Sequence, residues 1–160
     1  RLGADEVLQG GDLYAQVAEH SGAKLLKPTI GKRVVVGGVD RVYECVGSDR
    51  ALDDGLRLTR SGGTLVVVGV PGLAKGIDWT AIFSQELTVL AADRYHHAES
   101  WDGETCKTYD LAIELMESEK VDLGWMVSHR YPLEDYQRAL AELEDKRSHP
   151  ILKAVFDFKD

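Results

Sequence analysis

The chain has 160 residues, with 27 acidic against 19 basic side chains, a formal net charge of −8 and two cysteines. That length suits one ordinary domain around a single core, and the acidic balance, unbroken by any block of basic residues, argues against nucleic acid or an anionic membrane as partner. No apolar run approaches the ~18 residues of a membrane span, no targeting pattern opens the sequence, and Cys45 and Cys106 lack C-x-x-C spacing, which fits a reducing, cytoplasmic setting.

ADEVLQ, residues 4–9, is a strand candidate closed by Gly10 and Gly11. DLYAQVAEHSG places Leu13 and Val17 on the main stripe of a helix, with Tyr14 and Ala18 beside it, and ends at Gly22. Residues 23–38 contain Pro28 and three glycines and read as a loop, with RVVV extended. RVYECVG, residues 41–47, is a strand ending at glycine, after which Ser48 or Asp49 caps a helix. Leu52, Leu56 and Thr59 line one face of that helix and RSGG ends it. TLVVVGV is a nearly unbroken apolar run, the pattern of a strand covered on both faces. DWTAIFSQE then leads to LTVLAA, residues 87–92, a further strand.

Beyond a histidine-containing loop, residues 105–118 give the clearest amphipathic helix, with Tyr109, Ala112, Ile113 and Met116 at i, i+3, i+4 and i+7. WMVSHRYP is extended, and Pro132 opens a helix that turns Leu133, Tyr136, Leu140 and Leu143 inward. ILKAVFDF is a terminal strand. Asp53, Asp54, Glu142, Glu144 and Asp145 fall on outward helix faces, where charge is solvated. Strands alternating with helices predict an α/β sheet of mainly parallel strands.

In such sheets ligands lie beyond the carboxyl ends of the strands, where small residues let a ligand approach the main chain. Gly47 after YECV, and Gly69 with VPG after TLVV, hold such positions, and two successive strands ending alike mark a ligand edge. The sequence contains no G-x-G-x-x-G, no phosphate-binding G-x-x-x-x-G-K-[ST] and no G-x-S-x-G. Asp93, His96, His97 and Glu99 are metal-ligand residue types, but adjacent side chains on a loop seldom converge, and a solvated loop is the preferred reading. His129 reads as a packed histidine, His20 and His149 as surface residues, and Trp79, Trp101 and Trp125 receive no ligand.

LGADEV, VYECVGSDRALDDGLRLTRSGGTLVVVGVPG, DWTAIFSQELTVLAA and VSHRYPLEDYQRALAEL with ILKAVFDF resemble, in that order, the carboxyl-terminal half of the zinc-type alcohol dehydrogenases, the medium-chain dehydrogenase/reductase family. Only residues 23–39 and 96–104 fall outside the resemblance. It implies a partial Rossmann-type sheet, doubly wound and mostly parallel, that lacks its first two strands. Residues 1–104 would be an incomplete dinucleotide-binding domain, and residues 105–160 helices and a strand returning toward a catalytic domain outside this sequence. The glycine fingerprint and the zinc ligands would lie upstream of Arg1. With the central pair of the 3-2-1-4-5-6 order missing, the strand at Glu6 would lack a partner and the strand at Val42 would expose an edge.

The resemblance further implies an oxidoreductase that transfers hydride between an alcohol and NAD or NADP, with zinc polarising the alcohol oxygen. Val46 and Gly47 would border the adenine-side ribose, and Gly69, Val70 and Pro71 would hold the nicotinamide carboxamide through main-chain groups. Ala92 and Asp93 would supply the remaining carboxamide contact, although the charged pair Asp93 and Arg94 departs from the small or aromatic residues of many relatives. Lys153 would reach the pyrophosphate. The strand at 87–92 would pair across a two-fold axis in a homo-oligomer, as in family dimers. No catalytic group or metal ligand is assigned within the chain, which alone is expected to show no turnover on an alcohol, aldehyde or ketone. Two other readings stay open: a fragment of an S-adenosylmethionine-dependent methyltransferase, whose late helix, glycine turn and strand LRLTRSGGTLVVVG resembles, and a non-enzymatic α/β interaction module.

Overall fold

The computed structural model describes residues 3–92, 98–145 and 147–158, with the main chain alone at Glu99. Contacts divide the chain into two compact units, 3–94 and 95–160.

The first unit opens with α1 (Leu13–Ser21), which starts where the Asp12 carboxylate accepts the Tyr14 and Ala15 amides and stops at Gly22 with φ 66°. Its buried stripe is Tyr14, Val17 and Ala18, while the expected Leu13 faces outward. Tyr14 can take the inward position because its hydroxyl donates to Asp54 Oδ1 at 2.7 Å, satisfying the polar end of a buried ring. Asp54, expected to face water, is therefore half buried. The expected loop at 23–38 contains a hairpin, in which β1 (Lys24–Leu26) pairs antiparallel with β2 (Val34–Val36). Pro28 and Gly31 occupy the connection, so the residues that argued for a loop mark a turn between two short strands. Val35 is fully buried against α1 in a cluster with Tyr14, Val17, Ala18 and Leu58.

β3 (Val39–Glu44), α2 (Asp49–Leu58), β4 (Thr59–Val67), α3 (Thr80–Gln85) and β5 (Thr88–Ala91) follow. The three strands form one parallel sheet in the order β3-β4-β5, with Val42 opposite Leu65 and Leu65 opposite Val89. Parallel pairing needs a crossover between consecutive strands, and α2 and α3 provide the helices. Ser48 caps α2 by accepting the Ala51 amide, as expected. Leu52 and Leu56 bury themselves with Leu65, Ala81 and Leu87 in a second cluster, and Thr59 closes the helix by donating Oγ1 to the Gly55 carbonyl at 2.7 Å. The strand expected at 4–9 does not form: among the described residues it has no ladder partner, and Glu6 makes an ion pair with His20.

The second unit holds β6 (Glu99–Trp101), β7 (Glu104–Cys106), α4 (Thr108–Glu117), β8 (His129–Pro132), α5 (Tyr136–Glu144) and β9 (Ala154–Asp157). β6 and β7 form a hairpin whose turn, Asp102 and Gly103, has φ 49° and 84°, as two-residue hairpin loops require. β8 and β9 are parallel, with His129 opposite Ala154. Tyr131 is buried beneath α5, donating to Glu142 Oε2 at 2.5 Å with the Arg138 guanidinium over its ring. Glu142 is thus half buried rather than solvated. In α5 the buried residue is Ala139; of the expected inward stripe, Leu133, Tyr136 and Leu140 are exposed and Leu143 is half buried. α4 likewise exposes Tyr109, Ile113 and Met116, its half-buried side chains being Thr108, Leu111 and Leu115. A two-stranded sheet is too narrow to cover the apolar faces of both helices.

Candidate functional site

β3 and β4 end at one point, held by one residue. The Glu44 main-chain carbonyl accepts the amides of Val68 and Gly69, each at 2.8 Å, while its carboxylate Oε1 accepts those of Val46 at 2.7 Å and Gly47 at 2.8 Å. Glu44 is only 3% exposed, and its second oxygen, Oε2, has no hydrogen-bond partner among the described residues. The two turns are in contact: a Cβ on Gly47 would lie 2.7 Å from the Val70 amide nitrogen, and one on Gly69 would lie 2.2 Å from the Gly47 nitrogen. Gly47 also has φ 74°, a conformation that side chains disfavour. Glycine is therefore required twice, once by conformation and twice by proximity. The third strand joins the edge through the Ala92 amide, which donates to the Val67 carbonyl at 2.9 Å.

Beside these ends lies a mostly apolar cleft of about 740 Å³, lined by residues 67–71 and 89–92 with Leu52 and Trp79. Cavities of this size with few polar groups are typical of cofactor and small-molecule sites. The loop that follows β4 and walls the cleft is tied to α2. Asp49 accepts the Lys75 amide at 2.9 Å, Lys32 Nζ donates to the Gly76 carbonyl at 3.3 Å, and Asp53 Oδ1 accepts the Asp78 amide at 2.9 Å.

Asp53 is the centre of that anchorage. Expected on a solvated face, it is 5% exposed, and its Oδ2 receives Lys32 Nζ at 2.7 Å and Arg57 Nε at 3.1 Å. Burial works to raise its pKa, but the hydrogen bonds from Arg57, the Asp78 amide and Lys32 outweigh this and hold the carboxyl below its ordinary value. Arg57 also donates to Asp78 Oδ2 at 2.9 Å. Hydrogen bonds from Thr80 and then from Arg57 lower Asp78 to about 2.

A family model described as zinc-binding dehydrogenase matches residues 1–110. The chain belongs to that family. Among curated relatives, D-xylulose reductase of Saccharomyces cerevisiae is 30% identical over 94% of the chain, and sorbitol dehydrogenase of Bos taurus is 28% identical over 91%. The chain spans 37% of the length of each. Among solved structures, an Escherichia coli oxidoreductase/dehydrogenase of unknown specificity is 29% identical, covers 77% of this chain and 32% of its own, and superposes with a TM-score of 0.60. 2R,3R-butanediol dehydrogenase of Bacillus subtilis, at 19% identity, shares the fold with a TM-score of 0.66 over 94% of this chain and 36% of its own. The parallel β3-β4-β5 sheet is thus the cofactor-domain sheet of zinc-binding dehydrogenases, as the sequence resemblance implied.

Six of the residues singled out in the sequence, Val46, Gly47, Gly69, Val70, Pro71 and Ala92, come together along the strand ends, with Val46 and Val70 exposed at the rim. Asp93, with His96 and His97, lies outside the described residues. Lys153 belongs to the second unit, exposed just before β9, where its carbonyl accepts the Ser128 and His129 amides. His129 is half buried, with Nδ1 3.0 Å from Ser128 Oγ and its ring stacked toward Tyr131. Sequence reasoning missed Glu44, Asp53 and the lining role of Trp79. For Glu44 a signal existed in ECVG: a carboxylate two and three residues ahead of amides can fold back onto them, as in a capping turn.

Proposed function

We propose that the edge formed by β3, β4 and β5 is one side of a nicotinamide dinucleotide site, in a zinc-type dehydrogenase that moves hydride between an alcohol and NAD or NADP. The reading is carried by the apolar cleft beside the ends of β4 and β5, next to which the Gly47 and Gly69 turns pack main chain on main chain. Val46 and Gly47 border the adenine-side ribose. Gly69, Val70 and Pro71 offer main-chain groups to the nicotinamide carboxamide, with Ala92 beside them at the end of β5; for Asp93 and Lys153 the carboxamide and pyrophosphate roles rest on the sequence resemblance alone. When bound, the nicotinamide ring carries the hydride; these residues bind and orient it, and the apolar lining around Trp79 keeps water from the ring.

The two curated relatives are by name a D-xylulose reductase and a sorbitol dehydrogenase, which points to a small alcohol or carbonyl substrate here. The substrate pocket and the acid–base chemistry are assigned to parts of the enzyme beyond this segment. Among the described residues no three His, Cys, Asp or Glu side chains stand together as a metal set, so they do not fit the zinc ion. β5, exposed along its length at the edge of the sheet, is the assigned surface for pairing in a homo-oligomer. A cytoplasmic setting is the matching compartment.

Thermal melts of the 160-residue chain with NADH, NADPH and S-adenosylmethionine test this reading. One reduced nicotinamide nucleotide is expected to raise the midpoint in a saturable way, without alcohol turnover. Protection by S-adenosylmethionine alone would overturn it in favour of a methyltransferase, and protection by none would favour an interaction module.

A further inference from the structure

We infer that Glu44 is a positioning residue for the nucleotide, acting through the main chain of both glycine turns by its shape and not by its charge. This rests on the nucleotide reading above. Four amides converge on this one side chain and its carbonyl: Val46 and Gly47 on Oε1, Val68 and Gly69 on the main-chain oxygen. They belong to the two turns that carry the site: the main-chain carbonyl holds the turn after β4 and the carboxylate holds the Val46–Gly47 turn, so the placing of Gly47 against Gly69 depends on the length of the Glu44 side chain. Main-chain groups offered to a rigid ligand lose affinity when displaced by a fraction of an ångström.

The unpaired oxygen sharpens the inference. A buried polar atom without a partner needs a reason, and Oε2 is packed toward Gly69, where an added Cβ would lie 2.8 Å from it. Since Oε2 receives no donor, replacing it with an amide NH₂ removes no hydrogen bond. The remaining carbonyl still accepts the Val46 and Gly47 amides. Glutamine therefore keeps both accepted hydrogen bonds, now to a neutral oxygen, and places a buried NH₂ where Oε2 stood. Aspartate does the reverse: it keeps the charge, but a side chain shorter by one methylene cannot hold both amides at the same place.

The test compares the wild-type chain with Glu44→Gln and Glu44→Asp, measuring NADH and NADPH dissociation constants and amide hydrogen exchange at Val46 and Gly47. Glu44→Gln is expected to bind within about threefold of wild type and to keep both amides protected. Glu44→Asp is expected to bind roughly tenfold more weakly, the loss of one charge-assisted hydrogen bond, and to release at least one of the two amides while Leu65 and Val66 in β4 stay protected. The opposite order of affinities, or equal binding by both variants, would overturn the inference and leave the nucleotide reading standing. Failure of the wild-type chain to bind either nucleotide would remove the nucleotide reading, and this inference with it.

Discussion

A methyl group on Gly69 would sit 2.2 Å from the amide nitrogen of Gly47, closer than any packed pair of atoms allows. The two nearest atoms, the Gly47 nitrogen and Cα, are main chain and cannot swing away; the third, Glu44 Oε2 at 2.8 Å, is buried. Gly69→Ala is expected to cost about 1–3 kcal/mol, the usual range for overpacking, and to abolish the protection by nicotinamide nucleotides. Gly72→Ala is the control. Its φ is 57° but nothing lies within 4 Å of an added Cβ, so only the conformational penalty of about 1 kcal/mol applies. Urea midpoints of the two variants should differ accordingly; equal losses would show that the turns separate more easily than their packing implies.

Asp53 joins α2, the β1–β2 connection and the loop after β4. Replacing it with alanine leaves the Arg57 guanidinium, itself only 4% exposed, with Asp78 at 2.9 Å as its remaining ion-pair partner among the described residues. Breaking a buried pair from one side typically costs about 3–5 kcal/mol, and that loss is expected in urea unfolding of Asp53→Ala. Combining it with Arg57→Ala should cost less than the two single losses added together, because the second change removes the buried charge that Asp78 alone is left to balance. Additive losses would mean that the pair is held independently by Lys32 and Asp78.

The same network fixes a pH dependence. Asp53 and Asp78 have folded-state pKa values below their ordinary 3.8, with Asp78 near 2. The folded chain therefore binds fewer protons than the unfolded chain over this range, so the contribution of these groups is complete above about pH 4 and is lost as the pH falls toward 2. Urea midpoints measured from pH 6 to pH 2 should show that decline. Asp78→Asn should flatten it in its lower part while leaving the midpoint's response above pH 5 unchanged.

The distribution of successes and misses in the sequence follows from the range of each interaction. The parallel strands, the Ser48 cap and the two glycine-terminated strand ends were legible because they are written in contiguous residues. Asp53 was not, since its partners Lys32 and Asp78 stand 21 and 25 residues away and only Arg57 lies one helical turn on. Tyr14 was set aside in favour of Leu13 because apolarity alone was weighed, whereas the hydroxyl's partner on α2 decides which can be buried. The hairpin at 99–106 carries a local signal, Asp102-Gly103 between two short runs, but no alternating apolar pattern flanks it. Periodicity identified apolar faces on α4 and α5, but a period says that a face is apolar and not what covers it.

Tyr14 offers the complementary test at high pH. Burial, and then the hydrogen bond to Asp54, push its pKa upward from the ordinary 10.0. A raised folded-state value means that the folded chain holds its proton more tightly, so this contribution is complete below about pH 10 and disappears as the pH rises beyond it. Tyr14→Phe keeps the ring in the cluster with Val17 and Val35 but leaves Asp54 with Arg50 at 3.6 Å as its remaining partner. At neutral pH the variant should lose about 1–3 kcal/mol, the range for a hydrogen bond to a charged acceptor. Above pH 10 its stability should fall less steeply than that of the wild-type chain, since one ionisation has been removed. If both chains lose stability in parallel, the Tyr14 hydroxyl is not the group that couples α1 to α2, and packing alone holds the helix in place.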